Sequence, residues 1–249
     1  MVCTISLQEK PQLRDPVLVE GLPGIGFVAN IAALHLIREL NATLFATIHC
    51  SSFQDFAVTT EQGGTRSPTN ELYYHQGTGP DRDLIILHGN TQALTTRGQY
   101  ELCGRVLDIC EQLGSHYVIT LGGLKVEREV EQPKLYFAAT DKETGRMLRD
   151  MDVAIIRGQI FGVAGLLVGI GRLRGFQGFC LLAETLGLYP DKTAAREVLK
   201  IVGKVLNLNI SVDRLDETAD ATRNVLENFG LLEHTPGETK KESGFRWVV

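Results

Sequence analysis

Val17-Leu18-Val19-Glu20-Gly21-Leu22-Pro23-Gly24-Ile25-Gly26-Phe27 is a short apolar run that stops in a glycine-rich turn. In residues 27–40 beyond it, apolar side chains recur three and four apart. A strand, a tight turn and a helix in that order open an α/β fold. The pattern returns at Leu84-Ile85-Ile86-Leu87, a continuous apolar run between Asp81-Arg82-Asp83 and Gly89-Asn90, as in a strand covered on both faces. After it, residues 94–113 place Leu102, Val106, Ile109 and Leu113 on one helical face and end at Gly114, the residue favoured for a C-cap. Tyr117-Val118-Ile119 with its Gly122-Gly123 end, then 153–156 and 178–182, read as further strands. Residues 161–173, 192–206 and 213–229 read as helices.

Segments outside this alternation read as hairpins. Residues 44–48 form a strand, and 53–59 with 72–75, separated by Gln62-Gly63-Gly64-Thr65-Arg66-Ser67-Pro68, suggest a first β-hairpin insertion. A second runs through 135–139 and turns at 141–145. The prediction is one α/β domain over residues 1–234, with a mostly parallel central sheet, helices on both faces and β-hairpin insertions. Residues 235–249 change to Thr235-Pro236-Gly237-Glu238-Thr239-Lys240-Lys241-Glu242-Ser243-Gly244 and read as a flexible tail, although the last residues are Phe245-Arg246-Trp247-Val248-Val249.

Composition narrows the function. With 43% apolar and 22% charged residues in 249, the chain has ordinary globular proportions. A net charge of -5, with basic residues interleaved among acids as in Lys125-Val126-Glu127-Arg128-Glu129, gives no field for nucleic acid. The five cysteines, Cys3, Cys50, Cys103, Cys110 and Cys180, have no close ligand spacing, and their odd number does not suggest a disulfide framework, so a reduced, cytoplasmic setting is expected. The N-terminus lacks the pattern of a secretory signal. The most apolar stretch, 160–170, is well short of the roughly 20 residues that span a bilayer.

Ligands of open α/β sheets sit beyond the carboxyl ends of the strands. Glycine-containing turns are expected there at Glu20-Gly21, His88-Gly89-Asn90, Gly122-Gly123 and Arg157-Gly158. Gly24-x-Gly26-x-x-Ala29 formally fits the dinucleotide pattern, but Pro23 intrudes, and the next strand ends in His49-Cys50-Ser51 where a ribose-binding acid would stand. The alternatives are a phosphate cradle and tight helix–sheet packing. If a small molecule binds, Gly24, Gly26, His88, Asn90, Lys125 and Glu184 are its candidate pocket. Glu20 and Glu184 gain interest as acids only where they converge. The histidines show no metal pattern, Cys103 and Cys110 read as core, and no nucleophile elbow, phosphate loop or paired-carboxylate signature occurs. No catalytic residue, metal ligand or cofactor is therefore assigned. Gly162, Gly165 and Gly169 recur on one side of a helix, for packing on the sheet or for contact with another subunit.

Glu20-Gly21-Leu22-Pro23-Gly24-Ile25-Gly26-Phe27-Val28, Gly162-Val163-Ala164-Gly165-Leu166-Leu167-Val168-Gly169, Arg174-Gly175, Cys180-Leu181-Leu182-Ala183-Glu184-Thr185, Tyr189-Pro190-Asp191 and Ala194-Ala195 follow one another in a series. Together, over residues 15–230, they resemble the proteasome assembly chaperone 2 family in its archaeal and bacterial form. The resemblance implies a fold akin to purine nucleoside phosphorylases, homo-oligomers, and a role as chaperone or adaptor for proteasome core subunits. The alternative is a nucleoside- or ATP-binding enzyme, such as an ATP-grasp-like ligase or a nucleoside phosphorylase-like protein. Some archaeal members of the family dock through a C-terminal hydrophobic-tyrosine-any tail. Here Trp247-Val248-Val249 puts valine in place of that tyrosine. These three residues, with Gly162, Gly165 and Gly169, are the candidate partner contacts.

Overall fold

A computed structural model describes residues 3–59, 63–78, 81–128 and 130–228. In chain order the elements are β1 (Cys3–Leu7), β2 (Val17–Gly21), a 3-10 turn (Ile25–Phe27), α1 (Val28–Glu39), β3 (Thr43–Cys50), β4 (Val58–Thr59), β5 (Thr65–Arg66), β6 (Asn70–His75), β7 (Leu84–Gly89) and α2 (Thr96–Gln112). There follow β8 (Tyr117–Lys125), β9 (Leu135–Ala139), α3 (Lys142–Asp150), β10 (Ala154–Ile155), α4 (Gly162–Leu173), β11 (Gln177–Thr185), α5 (Lys192–Leu206) and α6 (Leu215–Asn228).

A nine-stranded sheet carries the fold, in the order β1-β3-β6-β7-β2-β8-β11-β9-β10. Its centre is parallel, with β2 between β7 and β8, and β8 beside β11. These strands are the continuous apolar runs, and the helices between them supply the crossovers that parallel pairing needs. The margins differ. β1 pairs antiparallel with β3, β3 with β6, β6 with β7, and β9 with β11. The sheet is thus mixed, which corrects the mostly parallel expectation. The physical reason lies in the connections: none of the links from β3 to β6, β6 to β7 or β8 to β9 contains a helix.

Both hairpin expectations change for related reasons. β6 is a full member of the main sheet, and the hairpin itself shrinks to β4 and β5. The second hairpin does not form. Asp141 Oδ1 accepts the N–H groups of Glu143 and Thr144 at 3.0 and 2.9 Å, so the segment read as a turn starts α3 instead. Gly122 and Gly123 also lie inside β8 rather than at its end.

Helices cover both faces. Val17, Val19, Leu84, Ile86, Ile119 and Phe179 pack with residues of α1, α5 and α6 on one side, and Leu18, Ile85, Leu87 and Val118 pack with α2 and α4 on the other. Alternation along each strand makes this division. No helix among the described residues is long and apolar enough to cross a membrane.

Cys3 and Cys50 face each other across the β1–β3 ladder and form a disulfide. This corrects the expectation of a reduced chain without a disulfide framework. The spacing gives no hint of the pair, because only the antiparallel return of β3 brings Cys50 to the N-terminal strand. Cys103, Cys110 and Cys180 are buried and unpaired.

Glu20 is the main polar cost of the core. It ends the central strand only 1% exposed, and Oε1 accepts the Leu22 N–H at 2.9 Å while Oε2 has no hydrogen-bond partner among the described residues. Burial lifts its carboxyl from the usual 4.5 to about 8, against the pull of the Leu22 and Leu121 amides, so it is largely protonated at neutral pH.

Two predictions follow from these features. Reducing the disulfide, or Cys50→Ser, should lower unfolding stability by about 2–4 kcal/mol in urea melts and expose the β1 amides to hydrogen exchange; an unchanged midpoint would show that β1 is held without it. For Glu20 the folded pKa lies above the unfolded one. Its contribution is therefore fully present below about pH 4.5 and is lost as pH rises toward 8. Glu20→Gln should gain on the parent chain by up to about 1.4 kcal/mol per pH unit through that window. Parallel pH profiles for the two chains would mean that Glu20 ionises freely in the folded state.

Candidate functional site

The glycine-rich turn does not arch away from the strands; it lies down on them. The Phe27 N–H donates to the Gly24 carbonyl at 2.9 Å, and Gly26 and Phe27 both take left-handed backbone angles, φ 62° and 50°. That conformation favours glycine, and Phe27 adopts it because its neighbours are pinned. Gly26 rests on Thr185 at the end of β11, where a Cβ would come within 2.6 Å of Oγ1. The Ile25 carbonyl lies directly on Gly123 of β8, in the space a Cβ would fill.

Further bonds fix this arrangement. The Asp191 N–H donates to the Gly26 carbonyl at 2.8 Å, Thr185 Oγ1 donates to Asp191 Oδ2 at 2.7 Å, and Asp191 Oδ1 caps α5 by accepting the Ala194 N–H at 2.9 Å. On the other side, Gln92 Nε2 donates to the Pro23 carbonyl at 2.6 Å, and Gln92 Oε1 accepts the Val163 N–H at 3.2 Å at the start of α4. One turn thus joins the ends of β2, β8 and β11 to α4 and α5.

The candidate pocket residues share the carboxyl side of the central strands and make contacts with different neighbours. Gly24 is exposed, and Gly26 is buried on Thr185. Asn90 Oδ1 accepts the Thr69 N–H at 2.9 Å and so ties the start of β6 to the end of β7. Lys125 is exposed at the end of β8. Glu184 Oε1 accepts the Tyr136 hydroxyl at 2.8 Å and Oε2 the Lys134 N–H at 3.3 Å, which turns it toward β9. Alternation puts His88 on the α1 face with Ile86, and Glu20 on the α2 and α4 face with Leu18. These two groups are separated by the sheet.

His88 Nε2 is shut off from water with no hydrogen-bond partner among the described residues, and burial, helped by the Arg38 charge, lowers its pKa to about 4. The imidazole is therefore neutral at physiological pH. Among the described residues no three His, Cys, Asp or Glu side chains stand together as metal ligands.

Surface grooves among the described residues include two that none of the six candidates lines. One, of about 580 Å³, opens beside the end of β3 between His49, Phe53, Asp55, Phe56 and Pro68. The other, of about 400 Å³, lies at the end of α5 around Lys200, Lys204 and Asn207. The pairing of β1 with β3 creates the first, which is why no local motif announces it.

The glycines of α4 divide. Gly162, at φ 77°, faces Gln92 Oε1, Gly165 sits under the Ile160 carbonyl, and Gly169 has no atom within 4 Å of where a Cβ would stand. The residues that α4 buries are Val163, Leu167, Val168 and Gly171, so Gly162 and Gly165 are called for by close contacts with Gln92 and Ile160, and Gly169 alone of the three faces open space. Trp247, Val248 and Val249 lie outside the described residues.

With this geometry, the chain compares clearly with known proteins. An uncharacterized protein of Methanocaldococcus jannaschii, MJ1210, is 33% identical over 234 residues, covering 93% of this chain and 90% of its own. The crystal structure of Pyrococcus furiosus PbaB, described as an archaeal proteasome activator, is 37% identical with a TM-score of 0.82, over 92% of this chain and 99% of PbaB. Pyrococcus furiosus PbaA, described as an archaeal homolog of proteasome-assembly chaperone, shares the fold at 24% identity and a TM-score of 0.74, over 91% of this chain and 96% of PbaA. The PAC2 family model matches residues 18–229, and the chain belongs to the PAC2 family.

Proposed function

We propose that this protein is a homo-oligomeric, cytoplasmic proteasome assembly chaperone-like protein or adaptor that binds proteasome core subunits. The observation that carries the reading is the 37% identity to PbaB over nearly the whole of both chains. The site geometry supports it. Where a nucleotide-binding relative of this architecture would leave a crevice, the turn from Gly21 to Phe27 is seated on Gly123 and Thr185. Around it, Ile25, Leu94, Phe161, Leu188 and Tyr189 are exposed. Exposed apolar and aromatic side chains at the core of an interface, with charge at its rim, are the means by which proteins hold one another.

Binding is then the proposed function, and Trp247, Val248 and Val249 are proposed as a second set of contacts through the tail. The test is co-elution of the purified protein with proteasome α subunits, free and assembled into the core particle, with and without residues 235–249. The expected result is a stable complex with at least one of these forms, weakened at least tenfold in the shortened chain. No complex with any form would overturn the reading, and equal binding by both chains would remove the tail from it.

A further inference from the structure

The Cys3–Cys50 disulfide joins the last strand on one side of the sheet to its neighbour. β1 has little else to hold it. Of its five residues Cys3 is the buried one, Ile5 is half-buried, and Thr4, Ser6 and Leu7 are exposed. Besides its ladder with β3, the Cys3 N–H donates to Glu101 Oε1 of α2 at 2.9 Å, and Ile5 packs on the cluster beneath that helix. An edge strand with so few buried contacts belongs to the part of a fold that opens at low free energy, and the cross-link opposes that opening.

The two sulfurs differ in access. Cys3 is 0% exposed, whereas Cys50 is half-buried and lines the groove of about 580 Å³ at the end of β3. Thr4 lines it too, so β1 forms part of the groove wall. The loop that follows Cys50 is fixed from the other side: the Phe53 N–H donates to the Cys50 carbonyl at 3.0 Å, and the Leu94 N–H donates to the Ser52 carbonyl at 2.7 Å. The remaining thiols do not compete for the pair. Cys103, Cys110 and Cys180 are buried, and burial holds each above the ordinary thiol range, so they stay protonated and unreactive. Exchange chemistry is confined to one disulfide, entered from the groove, and disulfides that can be reached from solvent are the labile ones.

We infer that Cys3 and Cys50 are a redox-active pair, opened at Cys50 by an outside dithiol, and that reduction releases β1 from the edge of β3. A thiolate of the dithiol attacks Cys50 Sγ. The new sulfur–sulfur bond forms as the Cys3–Cys50 bond breaks, and Cys3 Sγ leaves with the electron pair and takes up a proton. The second thiolate of the dithiol then attacks the first, and Cys50 Sγ leaves and is protonated in turn. The pair gains two electrons and the two protons that the dithiol sheds as it closes to its own disulfide. With the link gone, β1 is left to its ladder, the Glu101 bond and Ile5. Its opening bares the outer edge of β3 and takes Thr4 out of the groove wall. The inference is independent of what the protein binds.

The test uses the full chain, air-oxidised and in native buffer, with iodoacetamide labelling read by peptide mass spectrometry. The expected result is no labelled cysteine before treatment, labels on Cys3 and Cys50 after dithiothreitol, and loss of both labels when diamide reoxidises the chain first. A brief exposure to glutathione, quenched in acid, should leave glutathione on Cys50 and a free thiol on Cys3. Hydrogen exchange should then show the amides of β1 roughly tenfold faster in the reduced chain, with those of β2, β7 and β8 unchanged. Labels on Cys3 and Cys50 in the untreated chain, or a pair that yields to dithiothreitol only in urea, would overturn the inference. So would glutathione captured on Cys3, or equal exchange of β1 in the two states.

Discussion

The seat of the Ile25 carbonyl on Gly123 is the contact on which the rest of this structure turns. It exists only because β8 carries no Cβ at that point, and it sets how closely the turn can approach the sheet. Once Ile25 is down, Gly26 meets Thr185, the Gly26 carbonyl is in reach of the Asp191 N–H, and the same aspartate caps α5. Gly21 in turn leaves room for Ala29 and Ala33 of α1 to pack on the end of β2. A side chain at Gly123 would lift the turn and loosen three strand ends and two helices at once. Of the glycines that look from sequence like a phosphate cradle, Gly26 therefore serves close packing, while Gly24 is exposed.

The sequence makes the centre of the fold legible and its margins obscure, for one physical reason. Strands such as 17–19 and 84–87 are covered on both faces, so burial alone writes them as apolar runs, and helices with a clear 3.6-residue period separate them. Marginal strands pair through contacts distant in the chain. Nothing local to residues 70–75 says that they lie between β3 and β7, and nothing near Cys3 points to Cys50. Asp141 shows the ambiguity of a single polar residue: Asp favours turns and helix N-caps alike, and here the apolar face of α3, with Leu148 buried, decides for the helix.

The candidate site was legible as a place but not as a pocket. Gly24, Gly26, His88, Asn90 and Lys125 do collect on the carboxyl side of the central strands, as the alternation of elements implies. Which face of the sheet each one takes, and what fills the space between them, depends on strand register and on the turn conformation. His88 and Glu20 make the point, since Gly21 and His88 are register partners while the two side chains enter opposite cores. The family series extending from Glu20 to Ala195 carries more information than any of these residues alone. Its residues hold packing contacts spread along the chain, from Gly26 on Thr185 to Asp191 at the head of α5.

On the proposed function, the glycine turn closes the carboxyl side of the sheet and leaves a surface for proteins. The most direct test of this claim is thermal unfolding with nucleosides, and with ATP and magnesium, each at millimolar concentration. A closed edge predicts melting temperatures unchanged within error. A rise of several degrees with any of these ligands, abolished by Gly26→Val, would show a bound nucleotide and contradict the claim.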